Sequence, residues 1–312
     1  MGGDERSLGR HDNSTKQQAK YSFTNHLSVE PARALPFDNA FSRAGQGGVM
    51  TDDKATIHTW KPRRFMVIVA HPDDADFGPA GTASAWIDSG AEGWLVCCTS
   101  GDAGGEDPYL DQMELALQRE DEQRKAAAIV GYSGVTFLHQ PDGMLANDLP
   151  LREMLVREIR TFKPDAVLCG DPEVVVHSGG MINHTDHRAA AIAALDAVFP
   201  AARNPLAFPW LAKSGLAAHK VRRVYMMWSN QADVVIDVTG TVDRKIDALR
   251  CHATQLHDPE AVFERVRGRL ADAGASIGVG AAEAYRLVVL DQDPPEGSDA
   301  TESTTAAAPG AG

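Results

Sequence analysis

The stretch VIVAHPDDADFGPAGT, Val67 to Thr82, decides how the rest of the chain is read. An apolar, β-branched run stops at a histidine, a proline and two adjacent aspartates, then resumes through small residues and glycines. The run has the composition of a buried strand, and HPDDADFGPAGT reads as a turn into a helix. One aspartate at such a junction is ordinary, because Asp is a favoured helix N-cap. Two adjacent carboxylates at the end of a buried strand are costly unless donors or a cation meet them.

The same grammar repeats along the chain. RFMVIVA precedes a helical pattern in AGTASAWIDSG, GWLVCCTS precedes QMELALQREDEQRKAAAIVG, GVTFLHQ precedes PLREMLVREIRTF, and DAVLCGD precedes TDHRAAAIAALDAVF. Four successive strand and helix units predict an α/β domain with a parallel sheet and helices packed on it. The later part is less regular: VRRVYMMWS and ADVVIDVTG read as strands, TVDRKIDALRCHATQL as a helix and AYRLVVL as a last strand. Residues 1–58 are polar with little periodicity and read as a flexible N-terminal segment. Residues 59–291 form the α/β domain, and 292–312, rich in Pro, Ser, Thr, Ala and Gly, read as a disordered tail.

Composition narrows the class. A chain of 312 residues with 43% hydrophobic content can bury a large core. A net charge of -13 argues against a nucleic-acid partner, which would need clustered Lys and Arg. No apolar stretch approaches the roughly 18 residues of a membrane span. Cys97, Cys98, Cys169 and Cys251 form no CxxC pair and read as reduced thiols, and the polar start MGGDERSLGRHDNSTKQQAK has no apolar core of a signal peptide. The expectation is a cytoplasmic protein acting on a small molecule, with homo-oligomerisation left open.

In open α/β sheets, functional groups gather at the carboxyl ends of strands. Here those ends hold His71, Asp73, Asp74, Asp102, Asp142, Asp171, His177, His184, Asp186 and His187, an excess of metal-type ligands. His71 and Asp74 face across a turn fixed by Pro72, while His184 and His187 share one face of the first turn of a helix. Two imidazoles and one carboxylate suit zinc or a neighbouring divalent metal and leave a position for water. Spacing alone does not choose between His184 and His187.

AHPDDADFGPAGT followed by the later HTDH resembles the LmbE/PIG-L family of zinc-dependent N-deacetylases, whose hallmarks are an AHPDD and an HxDH motif. The resemblance spans about residues 64 to 290, with QREDEQRKAAAIVGY and QPDGML also alike and HATQLHD a looser fit. It implies a Rossmann-like, mostly parallel sheet with helices on both faces. It also implies Zn2+ or another divalent metal, and removal of an acetyl group from an N-acetylglucosamine-type amino sugar conjugate. Carried over residue by residue, His71, Asp74 and His187 would be metal ligands and Asp73 the general base. His184, if cationic, would support the oxyanion or leaving group, and Asp186 would orient a histidine from behind. The chain departs from many members at Ala75 and Asp76, neither of which is a proposed ligand.

Arg119, in LQREDEQ, is either a sugar-facing cation or the surface partner of Glu122 three residues on. Asp102 and Asp142 sit beside glycines, where turn chemistry is the ordinary role; Arg119 and Asp102 are carried forward as candidate substrate contacts. His139 and His177 are weaker candidates to line the crevice. Two other functions compete: an amidase acting on another N-acyl or thiol-conjugate substrate, and a non-catalytic sugar- or nucleotide-binding α/β domain.

Overall fold

A computed structural model describes residues 55–292. Residues 1–54 and 293–312, which hold nearly all of the two segments expected to be flexible, lie outside the described residues.

After Arg64, every residue of the strand β2, Arg64–Val69, is apolar, so the strand can be buried on both faces. Phe65, Val67 and Val69 enter one core with Ala83, Trp86, Ala126, Val130 and Ile246. Met66 and Ile68 enter a second with Leu151, Leu155, Ile159, Ala190 and Ala194. The helices therefore pack on both faces of the sheet. After β2 come helices α1 (Asp74–Phe77) and α2 (Ala80–Asp88), strand β3 (Glu92–Thr99), helix α3 (Gln112–Val130), strand β4 (Gly134–Gln140) and helix α4 (Leu149–Phe162). Strand β5 (Ala166–Gly170) and helix α5 (Thr185–Asp196) complete the four expected units. Local signals set their ends: the Asp111 carboxylate accepts the amides of Met113 and Glu114 at the start of α3, and Gly131, at φ 101, stops it.

Further along come helix α6 (Pro209–Lys213), strands β6 (Arg223–Met227) and β7 (Val234–Asp237), helices α7 (Val242–Leu249) and α8 (Pro259–Ala275), and strand β8 (Ala282–Val289). With an edge strand β1 (Thr56–Ile57) they give one eight-stranded sheet in the order β1-β7-β8-β6-β5-β2-β3-β4. Among these strands β8 alone runs against its neighbours. The sheet is thus mixed but mostly parallel, and the architecture is the expected α/β one.

Details differ from the sequence reading, among them an unexpected short helix, α6. β1 lies inside the stretch assigned to the N-terminal segment, held to β7 by amides of Thr56 and His58. The helix expected through TVDRKIDALRCHATQL stops at Leu249, and His252 to Gln255 form a turn. Helix α8 was not expected; Asp258 caps it and Pro259 opens it, a start signal legible in DPE.

What the topology does for function is set at β2. The chain leaves β2 for β3 and β4 on one side, then crosses to β5 on the other, so the loops after β2 and β5 part and open a crevice. A buried ion pair braces its floor. Lys245, 1% exposed, donates to the carbonyls of Phe77 and Gly78 and to Glu283 Oε1 at 2.8 Å. Glu283 also accepts the amides of Gly81 and Thr82 and the Tyr285 hydroxyl. Glu283→Ala would strand a buried ammonium and is expected to cost about 3–5 kcal/mol in urea unfolding; a loss below about 1 kcal/mol, the scale of a surface pair, would contradict this role.

Candidate metal centre

β2 delivers His71 and Asp74 into the crevice through a tight turn. Asp73 adopts φ 97, ψ -31, a conformation side chains rarely take, and its carbonyl starts α1 by accepting the amides of Asp76 and Phe77. Arg119 reaches across from α3: its guanidinium donates to the carbonyls of Pro72 at 2.7 Å and Gly101 at 2.9 Å and lies 3.6 Å from Asp73 Oδ2. The glycines of SGDAGG make room for it. A Cβ at Gly101, whose φ is +71, or at Gly104 would come within 2.3 Å of that guanidinium.

The other half of the site lies beyond β5. His184 is the N-cap of α5 and its Nδ1 accepts the Asp186 amide, which fixes the first turn and sets His187 on the same face. The three imidazoles of His71, His184 and His187 offer nitrogens within 4.8 Å of one another, with ring centroids 4.9 to 5.3 Å apart. Asp74 bridges two of them. Its Oδ1 lies 3.0 Å from His187 Nε2, and its Oδ2 lies 3.6 Å from His71 Nδ1 while accepting the His71 amide at 2.9 Å.

What the imidazoles do on their far sides decides what the near sides can be. His71 Nε2 faces Asp142 Oδ1 at 3.0 Å and Asp186 Oδ2 at 3.3 Å, so that nitrogen carries a proton. His187 Nδ1 donates to Asn183 Oδ1 at 3.2 Å, and the Asn183 amide cannot be reversed because its NH2 donates to the Val174 carbonyl. In neutral rings both lone pairs then turn inward, toward the Asp74 carboxylate. Lone pairs facing a carboxylate at such range require a cation between them, either a proton or a metal ion. An outer N–H committed to a carboxylate or amide is also how metal-ligating histidines are oriented. The cluster can therefore hold a divalent metal; a second group of carboxylates and imidazole, His71, Asp142 and Asp186, meets on the outer side.

These contacts set the proton affinities. Burial alone would raise the Asp74 carboxyl, but the His187 and His71 imidazoles outweigh it and hold it well below the usual carboxylate range. Burial alone would lower His71, and the carboxylates of Asp142, Asp186 and Asp74 drive it well above its ordinary value instead. Asp73 is pushed up by burial, against the opposing pull of Arg119. Burial, and after it the charges of His71 and His187, lowers His184. The condition placed on the His184 role, a cationic ring, is not the form its surroundings favour.

His71, Asp73, Asp74, Asp142, His184 and His187 line a cleft of about 490 Å³, shared with Phe77, His177, Met181, Trp228 and Arg269. Arg119 lines it too, but its surface pair with Glu122 does not form: Arg119 is 3% exposed and Glu122 instead accepts from Thr254. Asp102 is half-buried outside the lining, His139 contacts Ser100 and Glu120, and Asp171 accepts from Ser229. Asp142, read as a turn residue, is a His71 partner, and Asn183 was not singled out. The one sequence signal for Asn183 is its place directly ahead of the HTDH stretch, just before the cap of α5.

Comparison with known proteins agrees with this geometry. Residues 66–198 match the family model PIG-L, described as GlcNAc-PI de-N-acetylase. Over 203 residues the chain is 30% identical to diacetylchitobiose deacetylase of Thermococcus kodakarensis, covering 65% of this chain and 73% of the relative. The chain belongs to the PIG-L family. A PIG-L relative from Kineococcus radiotolerans, 1D-myo-inositol 2-acetamido-2-deoxy-alpha-D-glucopyranoside deacetylase, is 28% identical over 73% of this chain and 78% of its own length. Among solved structures, N,N'-diacetylchitobiose deacetylase from Pyrococcus horikoshii is similar with a TM-score of 0.67 at 27% identity, over 73% of this chain and 84% of that one. For this PIG-L member, Asp186→Asn, which weakens the acceptor behind His71, is expected to loosen Zn2+ binding roughly 10- to 100-fold in a chelator competition titration. An unchanged affinity would remove Asp186 from the site.

Proposed function

We propose that the chain is a metal-dependent N-deacetylase that hydrolyses the acetamide of an N-acetylglucosamine-type amino sugar conjugate. The observation that carries this reading is the inward convergence of His71 and His187 on Asp74, with Asp73 beside them in the same cleft. The amino sugar comes from the relatives, two of which are named for deacetylating diacetylchitobiose and an inositol-linked acetamido glucose.

In this reading His71, Asp74 and His187 hold the metal, and two imidazoles with one carboxylate suit zinc. Bound there, zinc supplies Lewis acidity that polarises a carbonyl and makes water nucleophilic near neutral pH. Asp73 accepts a proton from the attacking water and returns it to the amide nitrogen as the C–N bond breaks, so acetate and the free amine leave in balance. Its raised proton affinity suits a group that must both take and give. His184, neutral and accepting the Asp186 amide at Nδ1, carries its proton on Nε2, where a donor can meet the developing oxyanion. Asp142 and Asp186 orient His71, and Arg119 steadies the turn that carries Asp73.

An apolar wall of Phe77, Met181, Ile182, Val266 and Leu270 favours a second reading, an amidase whose substrate carries an apolar group. Acetate and amine release over a panel holding N-acetylglucosamine, N,N'-diacetylchitobiose and apolar N-acyl conjugates separates the two. Asp73→Asn is expected to keep one Zn2+ per chain and to lower kcat about 10²- to 10⁴-fold. Full turnover per bound zinc in that variant would exclude Asp73 as the base.

A further inference from the structure

The turn His252 to Gln255 is unused in the proposed reaction, yet it is tied to the Asp73 turn through a chain of buried polar groups. Asp73 N–H donates to Gln123 Oε1 at 2.8 Å. Gln123 Nε2 donates to Asp76 Oδ2 at 2.8 Å, and His252 Nε2 meets the same oxygen at 2.8 Å. Gln123, Asp76 and His252 are each 0% exposed. None of the three lines the cleft, so none of them touches a substrate bound there.

The order of these groups has a chemical logic. A glutamine amide can present either end, but the Asp76 carboxylate only accepts, so it takes the NH2 and leaves Oε1 for the Asp73 N–H. His252 donates to the same Asp76 oxygen and holds it in place. His252 is itself fixed, because the Thr254 amide and hydroxyl both donate to Glu122 on α3, at 3.0 and 2.6 Å. Arg119 and Gln123, one turn apart on α3, thus grip both ends of the peptide that enters the Asp73 Cα, Arg119 at the Pro72 carbonyl and Gln123 at the Asp73 N–H, while the Asp76 and Phe77 amides hold the Asp73 carbonyl on the other side. A side chain at φ 97 persists only where surrounding contacts over-determine it.

We propose that Gln123, oriented by Asp76 and His252, is a positioning residue that holds the Asp73 peptide in its left-handed conformation and so aims the Asp73 carboxylate into the cleft. This rests on the reading of Asp73 as the base. It acts through one neighbour, so its loss belongs in kcat and not in substrate binding.

The test is Gln123→Met, which keeps length and removes both hydrogen bonds, in the full-length zinc-loaded chain. Its crystal structure is expected to show Asp73 out of the positive-φ region with His71, Asp74 and His187 unmoved. With N,N'-diacetylchitobiose as the probe, kcat is expected to fall about 10- to 100-fold with KM within about twofold, as for a small misplacement of a catalytic group. In the Asp73→Asn background the same substitution is expected to cost nothing further. An unmoved Asp73, or an undiminished loss in the Asp73→Asn background, would overturn the proposal. Full activity of Asp73→Asn alone, or a wild-type chain inert on the probe, would instead overturn the functional reading, and the crystal structure still decides the positioning. Should Gln123→Met not fold, His252→Leu is expected to show the same displacement of Asp73, with His252→Gln restoring it; an Asp73 in place in His252→Leu would overturn the relay.

Discussion

A carboxylate between two imidazoles whose outer protons are already committed is the constraint that shapes the whole site. Asp142 and Asp186 take the proton of His71, and Asn183 takes that of His187, so the inner nitrogens of both rings turn toward Asp74. In water such a meeting would be relieved by hydration. Here His71, Asp74 and Asp186 are buried, and the demand for a cation becomes a property of the fold.

The fold meets that demand by bringing two distant loops to one point. The reversal of strand order between β2 and β5 opens the crevice, and the helices that begin there, α1 and α5, carry Asp74 and His187 on their first turns. The backbone at Asp73 bends against its preference so that adjacent carboxylates diverge, one toward the imidazoles and one toward Arg119. That separation lets neighbouring groups of identical chemistry hold opposite proton affinities, Asp74 low and Asp73 raised. In the proposed reaction that difference would separate the carboxylate that holds the metal from the one that moves the proton.

Much of this was legible in the sequence because the signals were local. The run Phe65 to Val69 announced a doubly buried strand, and HPDD with HTDH announced which imidazoles and carboxylates would gather in the cleft. What stayed hidden depended on contacts between parts far apart in the chain. Asp142 comes after a strand in a Pro-Asp-Gly turn, and nothing in that tripeptide tells that its carboxylate reaches His71. Whether Arg119 faced the site or paired with Glu122 at the surface stayed open in the sequence, because α3 buries a polar face, Arg119, Glu122 and Gln123, that hydrophobic patterning does not mark. The expected helix through HATQL failed for a related reason: Thr254 bonds to Glu122 in place of a helical ladder, a tertiary contact that local propensity does not register.

Whether His71, Asp74 and His187 share one divalent ion can be read from anomalous diffraction at the zinc edge of zinc-soaked crystals. A single strong peak is expected in the cleft, within about 2.0–2.2 Å of His71 Nδ1, the Asp74 carboxylate and His187 Nε2. A peak on the outer side of His71, between Asp142 and Asp186, or none in the cleft, would contradict a shared ion.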